Sequence, residues 1–215
     1  MKQIDFYLDF ISPYAYLAFA KLPEALAGLD VAASYKPVLF AALLKHHGQL
    51  GPAEIDGKRD WTFRQVQWLA RTSGVELQLP TAHPFNPLPL SRLAVAARTG
   101  DSGDRAVCAA VFDHIWRGGR DATDPDRLAA LRTQVAPIRD PDDDSVKAEF
   151  RANTEEAIAR GVFGVPTFVV DNRLFWGFDS LPMLRAYLCA DAWFAGDAWD
   201  AATRVRVGVR RGKRA

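Results

Sequence analysis

Apolar and polar positions along the chain change period twice, and these changes divide it into three parts. The run Ile4–Phe10 is apolar and β-favouring without an internal turn residue, which predicts a strand. Ser12 and Pro13 follow, a strong N-cap and a residue suited to the first helical position, so a helix is predicted to run to about Leu26. The stretch 31–38 predicts a second strand, and the chain therefore begins as a β-α-β unit.

The middle of the chain, residues 40–161, carries almost only helical patterns. In Asp104–Trp116, for example, apolar residues recur at i, i+4 and i+8 and predict a helix with a wide buried face. Strand patterns return only after this block. We therefore interpret the block as a helical insertion in an α/β fold.

The third part predicts a hairpin followed by a helix. Its strands are Pro166–Val170 and Arg173–Trp176, joined by a turn at Asp171-Asn172, and the last helix covers Leu181–Leu188. The predicted fold class is α/β, with the order β-α-β, helical block, β-β-α. The predicted domains are a discontinuous α/β domain (1–39 and 162–190), a helical insertion (40–161) and a C-terminal extension with a basic tail (191–215).

Charge and composition exclude several functional classes. The formal net charge is +1, but residues 204–215 carry six basic and no acidic residues, so the rest of the chain has a net charge of −5. An acidic body argues against a nucleic-acid-binding domain, and the tail is interpreted as a solubilising end. No apolar run is long enough to cross a bilayer, and acidic residues interrupt any signal-peptide core. We expect a soluble, cytoplasmic protein that contacts neither nucleic acid nor membrane.

Cysteine and histidine spacing does not predict a metal or redox site. Cys108 and Cys189 are far apart in the sequence and match no metal-binding or redox motif. His46 and His47 are adjacent, and neighbouring residues of a helix point in different directions. No metal site is therefore expected.

The residue with the clearest chemical potential is Ser12. Its hydroxyl lies where a strand passes into a helix, beside backbone N–H groups that lack an intrahelical partner, and such a corner can hold an anion. The pattern alone leaves two interpretations open, a simple helix cap or an anion site. A second informative segment is Gly161–Thr167, GVFGVPT, where a proline opens a strand and a cis peptide bond could lie.

Several motifs together resemble one family. They are DFISPYAYLA at the first helix, LLKHHGQLGPAEI, HPFNPLPL, VFGVPTFVV and WGFDS. Over residues 2–190 they resemble the 2-hydroxychromene-2-carboxylate isomerases, which have a DsbA-like thioredoxin fold and are related to the kappa-class glutathione transferases. The resemblance implies a thioredoxin-like fold with a large all-helical insertion, and a homodimer.

The resemblance also implies glutathione as the cofactor. Dithiol oxidoreductases have Cys-X-X-Cys where this chain has Ser12-Pro13-Tyr14-Ala15, so cysteine-based disulfide exchange is excluded here. The resemblance implies that the thiol of glutathione takes the place of the missing cysteine and that Ser12 stabilises its thiolate. Relatives often have Asn-Asp-Arg where this chain has Phe-Asp-Ser at 178–180. The implied glutathione contacts are Ser12, Gln49, Val165, Trp176, Phe178 and Asp179, with Pro166 as a structural cis-proline.

The implied second substrate is a small aromatic carboxylate, bound by the helical segment. A carboxylate needs a cation, and Lys45 is the candidate, although a solvated helix face explains Lys45 equally well. The implied reaction is a glutathione-dependent interconversion of 2-hydroxychromene-2-carboxylate and trans-o-hydroxybenzylidenepyruvate. The alternatives are a kappa-like glutathione transferase or peroxidase, and a thioredoxin-fold binding protein without catalysis. The implied residues for the second substrate are Lys45, Glu54, His83 and Asn86.

Overall fold

The β-α-β unit predicted at the start of the chain is confirmed. In the computed structural model, which describes residues 1–99, 104–206 and 208, β1 spans Lys2–Leu8, α1 spans Pro13–Ala25 and β2 spans Val31–Pro37. Strand β1 ends before the apolar run does. The chain turns there because the backbone N–H of Ser12 donates to the carbonyl of Asp9 at 3.0 Å.

A four-stranded sheet has the order β2-β1-β3-β4, where β3 spans Thr167–Val170 and β4 spans Arg173–Trp176. Strands β1 and β2 are parallel, and the β1–β3 and β3–β4 pairs are antiparallel. Asp171 and Asn172 join β3 to β4 with φ values of 49° and 65°. Two positive φ values are what a tight type I′ hairpin turn requires, and the predicted hairpin is confirmed.

Helices occupy the segment between β2 and β3, as predicted. Gly48 and Gly74 end the first two of them in the left-handed conformation, which glycine adopts without the penalty of a Cβ atom. The helices are α2 (Phe40–His47), α3 (Asp56–Ser73), α4 (Leu88–Ala96), α5 (Asp104–Trp116), α6 (Pro125–Val135) and α7 (Asp144–Ala159), and after the sheet α8 (Leu181–Leu188), α9 (Ala192–Ala195) and α10 (Ala198–Ala201).

One hydrophobic core is shared by one face of the sheet and the helical segment. Phe6 and Phe10 are buried in the same cluster as Phe112 and Trp116 of α5. The indole N–H of Trp116 donates to the Phe10 carbonyl at 3.0 Å, and the rings of Phe10 and Phe112 lie 4.8 Å apart. These contacts hold Phe10, which lies two residues before Ser12, against α5. The division into domains stays a prediction.

The C-terminal helices cover the end of the sheet. Phe194 of α9 is buried, with its ring 6.2 Å from that of Phe175 in β4 and 5.2 Å from that of Tyr187 in α8. Of the predicted basic tail, Arg204 and Arg206 are exposed, and the remaining basic residues lie outside the described residues. Within the described ranges, no helix combines the length and the apolar character that a membrane span needs.

Candidate active site

A cavity of about 530 Å³ opens beside the N-terminus of α1, a size typical of small-molecule sites. Its walls come from the turn after β1 with the start of α1, the first half of α2, and the loop after α2. The first turns of α3, the segment 83–87, residues 163–165 before β3, and Trp176 complete them. The lining includes many apolar or aromatic side chains, among them Ile11, Tyr14, Phe40, Leu44, Leu50, Phe63, Phe85, Phe163, Val165 and Trp176.

Ser12 is the N-cap of α1 and lines this cavity. Its Oγ accepts a hydrogen bond from the backbone N–H of Ala15 at 3.2 Å, and the residue is 7% exposed. A serine hydroxyl accepts through its oxygen and donates through its hydrogen at the same time. Ser12 can therefore cap the helix and still donate to an anion in the cavity.

His83 approaches the same turn from the helical segment. Its Nε2 lies 2.9 Å from the carbonyl oxygen of Ile11, and since a carbonyl only accepts, Nε2 carries the proton. Its Nδ1 is buried without a partner among the described residues. Burial lowers the pKa of His83, partly offset by the hydrogen bond to Ile11, and a neutral ring follows.

Asp9 is a buried carboxylate behind the turn. One of its oxygens accepts from the backbone N–H of Ile11 at 3.1 Å, and the other accepts from that of Phe40 at 2.8 Å. The side chain is completely buried, and burial raises its pKa to about 6 even though both hydrogen bonds act in the opposite direction. Asp9 thus joins the Ser12 turn to the first residue of α2.

The segment before β3 forms the wall on the other side. The peptide bond between Val165 and Pro166 is cis, and Val165 lines the cavity. The indole of Trp176 lies over Gly164, where a Cβ atom would come within 2.7 Å of the Trp176 Nε1. The lack of a side chain at Gly164 therefore lets Trp176 close this part of the wall.

The described part of the cavity wall contains no protein thiol. Cys108 is buried in α5, Cys189 is exposed after α8, and neither lines the cavity. Among the described residues, no group of three or more His, Cys, Asp or Glu side chains could hold a metal ion. Sulfur chemistry at Ser12 would therefore need a thiol from a bound ligand.

Comparison with known proteins agrees with this geometry. A family model described as a DSBA-like thioredoxin domain matches residues 3–189. A 2-hydroxychromene-2-carboxylate isomerase from Sphingobium xenophagum is 32% identical over 194 residues, which cover 87% of this chain and 98% of the relative. The chain belongs to the DSBA-like thioredoxin family, in its 2-hydroxychromene-2-carboxylate isomerase branch.

Two further comparisons extend this result. A solved structure of 2-hydroxychromene-2-carboxylate isomerase superposes with a TM-score of 0.77 at 24% identity, covering 91% of this chain and 98% of that structure. Glutathione S-transferase kappa 2 from Caenorhabditis elegans is 25% identical over 207 residues, covering 87% of this chain and 92% of the relative. The predicted family and the thioredoxin-like fold with a helical insertion are confirmed.

The structure brings most of the residues implied by the family resemblance to the cavity. They come from the N-cap of α1, the loop after α2, the segment between α3 and α4, and the two ends of the β3–β4 hairpin, so residues distant in the sequence share one site. The implied residues that line the cavity are Ser12, Gln49, Glu54, His83, Val165 and Trp176.

Lys45 and Asn86 are not among the described residues that line the cavity. Lys45 is exposed on α2, because the opposite face of that short helix buries Leu43. Asn86 is exposed, and its side-chain oxygen accepts from the backbone N–H of Leu88 at 3.1 Å, so it holds the start of α4. Their contact with the substrate stays a prediction.

Phe178 and Asp179 lie beside the cavity and are not among its described lining residues. Phe178, two residues after the end of β4, packs against the hydrophobic core that the sheet shares with the helices. Asp179 is exposed, and it lies close enough to Tyr14 for its charge to add to the rise in the Tyr14 pKa that burial mainly causes.

Sequence reasoning missed Asp9, Lys58 and Arg59, which all line the cavity. An acidic residue inside the apolar run before Ser12 was an available signal for Asp9. The consecutive cations at the start of α3 carried no comparable signal, because exposed helices commonly present Lys and Arg to solvent.

Proposed function

We propose that this protein is a glutathione-dependent isomerase that interconverts 2-hydroxychromene-2-carboxylate and trans-o-hydroxybenzylidenepyruvate in aromatic (naphthalene-type) degradation. The observation that carries the proposal is the Ser12 hydroxyl, held at the N-terminus of α1 in a cavity whose described wall contains no thiol. The isomerase relative supports the reaction, and the kappa-class relative supports glutathione as the source of sulfur.

The Ser12 corner can supply the energy that thiol activation needs. A free thiol with a pKa of about 8.5 is only slightly ionised at neutral pH. Lowering that pKa by about two units requires about 2.7 kcal/mol of preference for the thiolate. A helix N-terminus contributes up to ~2 kcal/mol to an anion. A hydrogen bond to a charged group adds about 1.5–3 kcal/mol. The helix end and the Ser12 hydroxyl together are sufficient.

Residues around Ser12 can bind the remaining parts of glutathione. Val165 precedes β3, so its backbone can pair with the cysteinyl part of glutathione as a short added strand. Asp179 lies beyond Tyr14, where its carboxylate can accept from the γ-glutamyl ammonium. Gln49 lines the opposite side and can bind the glycyl end with its amide.

The proposed reaction uses glutathione without consuming it. The thiolate adds to the conjugated double bond of the ring-opened substrate, forming a C–S bond and moving the electron pair into the ketone as an enolate. The former double bond is now single and rotates. The enolate then returns its electrons, the double bond re-forms in the other geometry, and the C–S bond breaks to release the thiolate. Ser12 stabilises the thiolate before addition and after elimination.

An ultraviolet titration of bound glutathione tests this proposal with wild type, Ser12→Ala and Ser12→Gly. In wild type, the pKa of the bound thiol should lie about two units below that of free glutathione, which is about 8.5. Both variants should ionise at least about one pH unit above wild type, because neither has a hydroxyl and only the helix N-terminus remains to stabilise the thiolate. Gly is a better N-cap than Ala, by roughly 0.5–1 kcal/mol, so a loss common to both comes from the missing donor. An unshifted pKa in wild type would overturn the proposal.

A kappa-like glutathione transferase or peroxidase is the second candidate, favoured by the kappa-class relative. Such an enzyme consumes glutathione, whereas an isomerase returns it. Free thiol measured before and after many turnovers separates the two functions. A binding protein without catalysis, the third candidate, requires that the bound thiol keep its ordinary pKa.

We also propose a homodimer, as the family resemblance implies. Trp61 and Trp68 are seven residues apart on α3, hence on one side of the helix, and are 61% and 59% exposed. Exposed aromatic side chains on one helix face suit a protein interface. Sedimentation equilibrium should give twice the mass of the chain, and a monomer mass would contradict this part of the proposal.

A further inference from the structure

Among the residues that the structure describes, four charged side chains line the cavity: Asp9, Glu54, Lys58 and Arg59. Both carboxylates accept hydrogen bonds from backbone groups close to the cavity. Glu54 accepts from the backbone N–H of Gly51 at 3.2 Å, and Asp9 accepts from two backbone N–H groups. Both cations lie in the first turns of α3. The charged donors that this wall can offer to an anion are therefore those of Lys58 and Arg59.

Arg59 is placed where a planar ligand could meet it. Its guanidinium lies 5.2 Å from the centre of the Phe63 ring, and its Nη2 donates to the His83 carbonyl at 3.4 Å. Asp60 lies 3.8 Å away but is 61% exposed, and an exposed pair of this kind binds weakly. A guanidinium carries five N–H donors, so Arg59 keeps donors for a ligand.

The N-terminus of α3 strengthens the attraction for an anion. Arg59 is the fourth residue of this helix, and its N-cap, Ile55, makes no side-chain cap hydrogen bond. The N-terminus of a helix carries a partial positive charge, which disfavours a cation and favours an anion. An anion bound at Arg59 would offset the repulsion between the helix N-terminus and the Arg59 cation. The helix N-terminus would also attract the anion directly.

Aromatic rings continue the wall next to Arg59. The rings of Phe63 and His83 lie edge to face at 5.3 Å, and those of His83 and Phe85 at 5.9 Å. His83 also contacts Ile11, the residue before Ser12. A continuous aromatic surface therefore leads from the guanidinium towards the serine turn.

We propose that Arg59 binds the carboxylate of the aromatic second substrate with a two-pronged hydrogen bond, while Phe63 and Phe85 pack against the substrate ring. The identity of that substrate rests on the proposed function. This assignment replaces Lys45, which lies on the exposed face of α2. It accounts for carboxylate recognition by a group that shares the cavity with Ser12.

Calorimetric titration of the full chain with two matched probes tests this inference. The probes are trans-cinnamate and the neutral trans-cinnamamide, which have the same ring and nearly the same shape. Arg59→Gln should weaken cinnamate binding at least about tenfold and leave cinnamamide binding unchanged. Arg59→Lys should recover only part of the loss, because an ammonium lacks the planar fork. Arg71→Gln is the control, since Arg71 stacks on Trp68 on the same helix outside the cavity lining.

The outcomes separate this inference from the proposed function. Equal weakening of both probes, or loss of glutathione binding in Arg59→Gln in place of cinnamate binding, overturns the assignment of Arg59. Selective loss of cinnamate binding supports it, even if the wild-type glutathione thiol shows no lowered pKa. In that case the glutathione-dependent reaction fails and the carboxylate site stands.

Discussion

The Nε2 atom of His83 lies 2.9 Å from the carbonyl oxygen of Ile11, the residue immediately before Ser12. This hydrogen bond ties the segment between α3 and α4 to the turn at the end of the sheet. Because burial lowers the pKa of His83, the ring is neutral at neutral pH and its one N–H donor points at Ile11. The helical segment therefore helps to position the serine.

Replacement of His83 by Phe should destabilise the protein by about 1–3 kcal/mol, because the Ile11 carbonyl loses its donor. It should also raise the thiol pKa of bound glutathione, since the turn that carries Ser12 is less well held. His114→Phe is the control: its Nε2 bonds the Ala122 carbonyl at 2.9 Å, and His114 does not line the cavity. Urea unfolding measures the loss of stability, and ultraviolet titration measures the thiol pKa of bound glutathione. The same thiol pKa in the two variants would contradict a positioning role for His83.

Asp9 should make the protein less stable as the pH rises. Burial raises its pKa from 3.8 to about 6, so between these values the folded state binds more protons than the unfolded state. The free energy of unfolding must then fall as pH rises through this interval, by about 3 kcal/mol in total. Asp9→Asn does not ionise and should lack this contribution. Urea unfolding between about pH 4 and about pH 7 measures the two slopes, and equal slopes would refute the assignment.

Gly177→Ala should impair both stability and glutathione binding. Gly177 has φ 97° and ψ 160°, a conformation open essentially to glycine, and its substitution should cost about 1–3 kcal/mol. An added Cβ would overlap the carboxylate of Asp179 and displace it. Gly28→Ala is the matched control, with φ +78° and no neighbour within 4 Å. It should lose stability without losing affinity in glutathione calorimetry. Unchanged affinity in Gly177→Ala would argue against Asp179 as a glutathione contact.

Trp116→Phe tests how strongly the folding of the sheet is coupled to that of the helical segment. The substitution leaves the buried Phe10 carbonyl without its donor and opens a small cavity, so a loss of about 2–4 kcal/mol is expected. Because one core spans the sheet and α5, unfolding should remain a single transition with the same midpoint by circular dichroism and fluorescence. Two separate transitions would show that the helical segment unfolds independently.

The elements that the sequence predicted correctly depend on short-range preferences. Ser12-Pro13 begins α1 and Asp171-Asn172 turns the hairpin, because each needs only the backbone preferences of a few neighbouring residues. The site residues that line the cavity came from motifs, because composition and periodicity alone cannot tell a capping serine from one that also holds an anion.

The sequence by itself determined the order of strands and helices, the family and the place of Ser12 at a helix start. Only the tertiary structure decided which side chains share its cavity. Asp9 meets Phe40 across 31 residues and His83 meets Ile11 across 72. Arg59 lines the cavity, whereas Lys45 is not among its described lining residues. In sequence, both cations belong to polar helix surfaces. The direction in which each points depends on how its helix packs against distant elements, and no local pattern records that.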